Sequence, residues 1–459
     1  MTFPKGFLWG VSTSSYQIEG GAFDDGKGPS IWDVFCRKPG AIAFGHTGDV
    51  ACDFYHRHAE DIALMKQLGV RAHRFSVSWP RVMPEATGRV NEKGLAFYER
   101  IVDEMLAAGI RPLLALYHWD LPQEAHCRGG WLNRDIASWF AEYARVMVDR
   151  LSDRVTDWIT FVEPVAFIGA GYAHDRHAPG LKLSRPEWLR AMHHVLLAHG
   201  RAAQVVRAHA RRPPRVSLSH VGSCFIPGSA DPRDIEAARM ATFEAPAQAD
   251  RWTNGWLLDP IYHGGYPERD LEFYGADAPP IAAGDMETIH QRPDFFALNY
   301  YFARYARMGP DGVPQFDPGP IPAGKRSAMG WTMLEEGLYW KARFAWERYQ
   351  VPLFITENGM ANLDWVALDG QVHDPQRIDF LRRHIGALGR ACQDGVAVEG
   401  YLTWSFLDNF EWAEGYEKRF GLVYVDFDSQ RRILKDSALW YQTVIARNGL
   451  VPPSEIGGH

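Results

Sequence analysis

The sequence predicts an α/β chain folded as a single (β/α)8 TIM barrel with long βα-loop insertions, with residues 1–459 as one domain. Three observations predict it. Strand-like and helix-like segments alternate from end to end, eight of each. The strand-like segments are near-continuous apolar runs, as in parallel strands buried on both faces. Two of those runs end in a carboxylate and a chain-stopping residue, at Glu163-Pro164 and at Glu357-Asn358-Gly359.

In order, Phe7–Ser12 reads as the first strand and Asp53–Leu68, with an amphipathic pattern, as its helix. Val70–Trp79 and Glu92–Ala108 form the second pair, Ile110–His118 and Arg134–Leu151 the third, and Val155–Glu163 and Glu187–Ala210 the fourth. Arg215–His220 is the fifth strand, with helical material over Pro232–Trp252. Phe295–Tyr301 precedes a helix near Leu334–Tyr349, Pro352–Glu357 one near Pro375–Cys392, and Val396–Phe406 the closing helix Lys435–Arg447. Three insertions stand out: Gly20–Val50, Asn254–Arg292 and Phe302–Gly330. The last is rich in Gly and Pro and is expected to be a long loop of the kind that forms binding sites or lids.

Composition narrows the function. Hydrophobic residues make up 46% and charged residues 23%, which suits a soluble globular chain. The net charge of −7 disfavours nucleic acid, whose partners present a basic footprint. Arg211-Arg212-Pro213-Pro214-Arg215 reads as a solvated helix-to-strand connection. No apolar stretch approaches a membrane span. The N-terminal residues lack the pattern of a signal peptide. The five cysteines (Cys36, Cys52, Cys127, Cys224, Cys392) are widely spaced, which fits reduced thiols in a cytoplasmic setting. Seventeen Trp residues hint at stacking faces for flat ligands such as sugar rings.

The active site of such a barrel lies at the C-terminal ends of its strands. Polar residues at those ends are Gln17, Arg74, His118, Glu163, Asn299, Tyr301 and Glu357, with Trp404 and, in the loop after it, Asp408, Asn409, Glu411 and Trp412. Two carboxylates on different strands suit acid/base chemistry at an acetal carbon: one stays protonated to donate to the leaving oxygen, and the other is ionised to attack or to activate water. Arg74 is a candidate to stabilise the ionised one. There is no H-E-x-x-H, G-x-S-x-G, P-loop or G-x-G-x-x-G, and His56 and His58 lie in a helical stretch. No metal or cofactor is expected. Some of these residues also have a plainer reading: His118 and Trp404 as core, Asn299 as support for its neighbours. No role is assigned to Cys127, His193 or His194.

At these residues the chain resembles the family-1 glycoside hydrolases, the β-glucosidase group. The likeness covers nearly the whole chain. It is carried by Tyr16-Gln17-Ile18-Glu19-Gly20, Arg74-Phe75-Ser76-Val77-Ser78-Trp79-Pro80-Arg81, Leu116-Tyr117-His118-Trp119-Asp120-Leu121-Pro122, Ile355-Thr356-Glu357-Asn358-Gly359 and Asp408-Asn409-Phe410-Glu411-Trp412. The resemblance implies a retaining β-glycosidase acting on small β-glycosides or oligosaccharides. Glu357 would be the nucleophile and Glu163 the general acid and then base, with carboxyl groups roughly 5–5.5 Å apart. Arg74 and Tyr301 would hold Glu357. Gln17, His118, Glu411 and Trp412 would bind sugar hydroxyls over a Trp404 floor. Asn299 and Phe420 would line the pocket, with Trp331 on the aglycone side. Glu411 would repel a 6-phosphate.

One position departs from the family. Val162 stands where the pattern Asn-Glu-Pro supplies an amide to the sugar 2-hydroxyl, and Val165 where many relatives carry Trp. Losing one such hydrogen bond costs roughly 1–3 kcal/mol, or about 5- to 150-fold in rate. Three readings stay open: a β-glucosidase that tolerates the loss, a glycosidase or transglycosylase for 2-deoxy or 2-modified sugars, and a weakly catalytic sugar-binding relative. Retention of Glu163, Glu357, Arg74 and Tyr301 argues against the last.

Overall fold

The computed structural model describes residues 1–248, 252–317 and 325–450. Eight parallel strands close a barrel: β1 (Leu8–Ser12), β2 (Ala72–Ser76), β3 (Arg111–Ala115), β4 (Asp157–Val162), β5 (Arg215–His220), β6 (Phe296–Tyr300), β7 (Leu353–Asn358) and β8 (Val398–Trp404). Consecutive strands are neighbours. β8 returns to β1, with Leu8 opposite Gly400 and Ser12 opposite Trp404.

The helices that follow the eight strands are α1 (Phe54–Gln67), α2 (Glu92–Ala107), α3 (Ile136–Leu151), α4 (Arg185–His209), α5 (Pro232–Phe243), α6 (Glu335–Tyr349), α7 (Pro375–Gln393) and α8 (Asp436–Arg447). Apolar stripes face the barrel, except that α5 lies against the small sheet of Phe225–Pro227, Arg304–Met308 and Pro314–Asp317. In α2 the stripe is Leu95, Tyr98, Ile101, Val102 and Met105, at helical spacing. The longest, α4, opens with a capping box between Ser184 and Glu187 and with Pro186 in its first turn.

Every residue of β2, β4 and β7 is buried, which is why their sequences do not alternate. Inside the barrel Leu113, Ile159, Val162, Phe295, Phe354 and Leu402 interleave with Ala72, Ala115 and Ala297. Gly10 lets β1 approach β2: a Cβ there would sit 2.0 Å from the Ala72 carbonyl oxygen.

Several expected elements are revised. The second strand stops at Ser76, and Trp79–Val82 is a helical turn with Pro80 in its first turn, where the missing N–H costs nothing. The stretch expected to be helical over Pro232–Trp252 breaks at Glu244 into Pro232–Phe243 and Ala245–Gln248. The expected long loop Phe302–Gly330 carries an antiparallel pair, Arg304–Met308 with Pro314–Asp317, and Phe225–Pro227 joins its edge. The insertion Asn254–Arg292 holds the helices Gly255–His263, Glu268–Tyr274 and Asp285–Ile289. Of these expectations, residues 249–251, 318–324 and 451–459 lie outside the described residues. Among the described residues no helix is long and apolar enough to cross a membrane.

Candidate active site

A cavity of about 400 Å³ opens at the C-terminal end of the barrel. The strand ends deliver its polar groups. β4 ends at Val162. Glu163 then takes a left-handed conformation (φ 55°, ψ 63°), and Pro164 starts a short helix. That turn carries the Glu163 carboxyl out of the strand and into the cavity. A non-glycine residue at positive φ costs free energy and persists where the surroundings enforce it. Trp119 (φ 77°) and Trp412 (φ 49°), both on the cavity wall, share this strain. The Glu163 N–H donates to the Ser219 carbonyl (2.8 Å), which pins the turn to β5.

Glu357, on β7, faces the same cavity and is 3% exposed. Arg74 donates to Glu357 Oε1, and the Tyr301 hydroxyl donates to Oε2. Arg74 is fully buried and is itself fixed by the Thr13 carbonyl (2.9 Å). Its guanidinium lies 5.5 Å from the Trp404 ring centre. Arg74 also approaches His118 Nδ1 at 3.1 Å. Arginine only donates, so His118 accepts at Nδ1 and carries its proton on Nε2. Burial and the Arg74 charge hold its pKa well down, so the ring is neutral.

The two carboxyls sit in different surroundings. Burial and the nearby Glu357 charge push Glu163 up to about 8. Its hydrogen-bond partner is an amide, Asn299 Nδ2 to Oε1 at 2.7 Å, not a cation. Burial also raises Glu357, but Arg74, Tyr301 and Asn299 all favour its ionised form. Glu357 therefore ionises first and Glu163 keeps its proton near neutral pH. Tyr301 is raised well above 10, chiefly by burial and the Glu357 charge, and stays a donor.

Of the residues singled out in the sequence, His118, Glu163, Tyr301, Trp331, Glu357, Trp404, Glu411, Trp412 and Phe420 line the cavity. Gln17, Arg74, Val162 and Asn299 stand one layer behind and are fully buried. Gln17 donates to the Asn409 side chain (3.1 Å) and the Phe410 carbonyl (3.0 Å) and reaches Glu411 Oε2 at 3.5 Å. Asn299 accepts from Ser219 (2.9 Å) and Thr356 (2.7 Å) while donating to Glu163, so its amide orientation is set by three partners. Val162 packs into the apolar barrel interior, and its carbonyl accepts from the Trp119 indole at 2.9 Å. Trp404, Phe420, Tyr301 and Trp331 form one aromatic group. Trp412 stacks on Trp119 at 4.5 Å. Glu411 is raised well above the carboxylate range, first by burial and then by Glu357.

Sequence reasoning missed Ala166, Arg176, His177, Val221, Trp252 and Glu414 on the outer wall. Ala166 and Glu414 lie in single helical turns and the others in loops, too short or irregular for periodicity to mark an inward side. Among the described residues no cluster of three His, Cys, Asp or Glu side chains could hold a metal.

The family model for glycosyl hydrolase family 1 matches residues 1–450. Beta-glucosidase A of Thermotoga maritima is 47% identical over 452 residues, covering 98% of each chain. The 1,4-beta-D-glucan glucohydrolase of Thermotoga neapolitana is 46% identical over 452 residues, covering 98% of this chain and 99% of its own. The solved structure of the beta-glucosidase from Thermotoga maritima in complex with deoxynojirimycin matches with a TM-score of 0.89 at 46% identity, covering 98% of this chain and 100% of its own. With a closed eight-stranded barrel, two unequal buried carboxyls at its mouth and this match along its length, the chain belongs to glycosyl hydrolase family 1.

Proposed function

We propose that the protein is a retaining β-glucosidase that cleaves terminal, non-reducing β-glucosides through a covalent glycosyl-enzyme, with residues 1–459 acting as one catalytic domain. The observation that carries this reading is the asymmetry of the two buried carboxyls. Glu357 has a guanidinium and a phenol donating to it, whereas Glu163 has one amide. The first is the nucleophile and the second the acid.

In the first step a Glu357 oxygen attacks the anomeric carbon as Glu163 protonates the departing glycosidic oxygen. In the second, ionised Glu163 takes a proton from water, which attacks the same carbon and frees Glu357. Two inversions give net retention. Arg74 keeps Glu357 ionised before attack. Tyr301 holds the carboxylate's other oxygen and orients it. Asn299 fixes the Glu163 carboxyl. His118, as a neutral Nε2–H donor, and Glu411, as an acceptor, take up sugar hydroxyls at the deep end, with Gln17 steadying Glu411. Trp404 is the stacking floor, with Trp412, Phe420 and Trp331 around it. Glu411 offers a 6-phosphate no cation to pair with, which favours an unphosphorylated glycone. The five cysteines are unpaired, which supports a reducing, cytoplasmic setting.

The test is turnover of aryl β-glucoside, β-galactoside, β-fucoside and 2-deoxy-β-glucoside, with Glu357→Ala as the blank. Fastest turnover of the glucoside, with a dead blank, is expected. Equal activity of the blank would refute the assignment of Glu357.

A further inference from the structure

We infer, building on the β-glucosidase reading, that the chain prefers β-glucosides of apolar alcohols, alkyl or aryl, over glucosyl disaccharides. The cavity changes character along its depth. Its inner end holds the hydrogen-bonding groups Glu163, Glu357, Glu411 and His118. Its more exposed lining is largely apolar, Ala170, Val221, Trp252, Phe302 and Met329, with Arg176, His177 and Glu414 on the rest of the outer wall.

The loop after β5 strengthens this contrast. Backbone carbonyls are the acceptors a loop ordinarily offers a sugar. Here the carbonyls of Val221 and Gly222 accept from the buried Lys341 ammonium (3.2 and 2.7 Å), and that of Ser223 accepts from Asn254 Nδ2 (2.9 Å). Three successive acceptors are engaged by the protein, and Val221 is left to line the cavity. At the mouth Arg176 and Glu414 are paired with each other. The His177 ring packs on Trp119 and Trp32, and its buried Nδ1 has no protein partner among the described residues.

A second hollow of about 120 Å³ shares Val221, Trp252 and Phe302 with the first and is completed by Gly222, Ser223, Cys224, Phe225 and, at its edge, Arg304. A mainly apolar groove thus runs on beyond the first aglycone position, with Arg304 as its one charged lining residue. A glucose leaving group would bring several hydroxyls into this groove, and a buried hydroxyl without a partner is costly. An alkyl chain or aromatic ring would bury apolar surface against Val221, Trp252 and Phe302, which is favourable.

The test is kcat/KM for methyl, butyl, hexyl and octyl β-glucoside and for cellobiose, below micellar concentrations. Simple alkanols are poorer leaving groups than a sugar hydroxyl, so an alkyl advantage reports aglycone binding and not chemistry. The expected result is a rise of roughly 2- to 4-fold per added methylene until the groove is filled, with hexyl glucoside ahead of cellobiose by about 10-fold or more. Val221→Asn and Phe302→Ser should each lower the hexyl-to-methyl ratio several-fold. Cellobiose ahead of hexyl glucoside, or a flat alkyl series, would overturn the aglycone assignment and leave the glucosidase reading standing. No turnover of any of these substrates or of an aryl glucoside would overturn both.

Discussion

Tyr301→Phe is the perturbation that most directly separates the roles of the two carboxyls. It removes one hydroxyl and keeps the ring, which contacts Trp331 and Phe420 at 5.4 and 6.1 Å between centroids. The lost interaction is a hydrogen bond from a neutral phenol to a carboxylate that is 3% exposed. Hydrogen bonds to charged groups contribute roughly 1.5–3 kcal/mol. The bond stabilises only the ionised form of Glu357, so its loss raises that pKa by about 1–2 units. In the proposed mechanism, glycosylation requires Glu357 ionised and Glu163 protonated. The acidic limb of the kcat/KM profile should therefore move up by about 1–2 pH units. The basic limb, set by Glu163 near 8, should stay in place because Tyr301 makes no hydrogen bond to Glu163. The optimum narrows from the acidic side. The assay is the pH dependence of kcat/KM on an aryl glucoside between pH 4 and 10, with circular dichroism to check folding. An unmoved acidic limb, or a shift confined to the basic limb, would refute the assignment of Glu357 as the ionised partner.

Three other outcomes are expected. Glu163→Gln removes the acid, so alkyl glucosides should lose about 10²- to 10⁴-fold, activated aryl glucosides much less in the first step, and the basic limb near 8 should vanish; retention of that limb in a pH profile would count against Glu163. Val162→Asn should raise kcat/KM on glucoside relative to 2-deoxyglucoside by about 5- to 150-fold if the missing amide matters, and thermal denaturation should show a cost for placing an amide in the apolar barrel interior. Lys435→Met should destabilise the fold by roughly 3–5 kcal/mol in urea titration, because Lys435 is fully buried between Asp364 and Asp408 at 2.6 Å each and its loss leaves their charges short of a partner; a change under 1 kcal/mol would show that water replaces it.

Much of the fold was legible because its signals are local. β7 reads Leu-Phe-Ile-Thr-Glu-Asn with every residue buried, and an apolar run ending in a carboxylate can be recognised without knowing its neighbours. Boundaries were less legible. The start of α4 reads at Glu187, two residues late, because the capping box with Ser184 goes unrecognised. The Arg304–Met308 and Pro314–Asp317 pair was hidden in a Gly- and Pro-rich stretch because pairing, not composition, makes it a hairpin.

By itself the sequence determined which groups would gather at the barrel mouth. In a parallel barrel every strand delivers its C-terminal residue to one end, so order along the chain suffices to collect Arg74, His118, Glu163, Asn299, Glu357 and Trp404. The tertiary structure alone decided their inequality. Glu163 and Glu357 are the same residue type at the ends of two similar strands. They differ because Arg74, 283 residues from Glu357 in the chain, and Tyr301 reach one carboxyl while Asn299 donates to the other. It also decided that Gln17, Val162 and Asn299 stand behind the cavity wall, and that Lys341, mid-helix in α6, engages the carbonyls of a loop more than a hundred residues earlier. A pKa and a specificity depend on charge, burial and hydrogen bonding within a few ångströms, and those distances exist only once the chain has closed on itself.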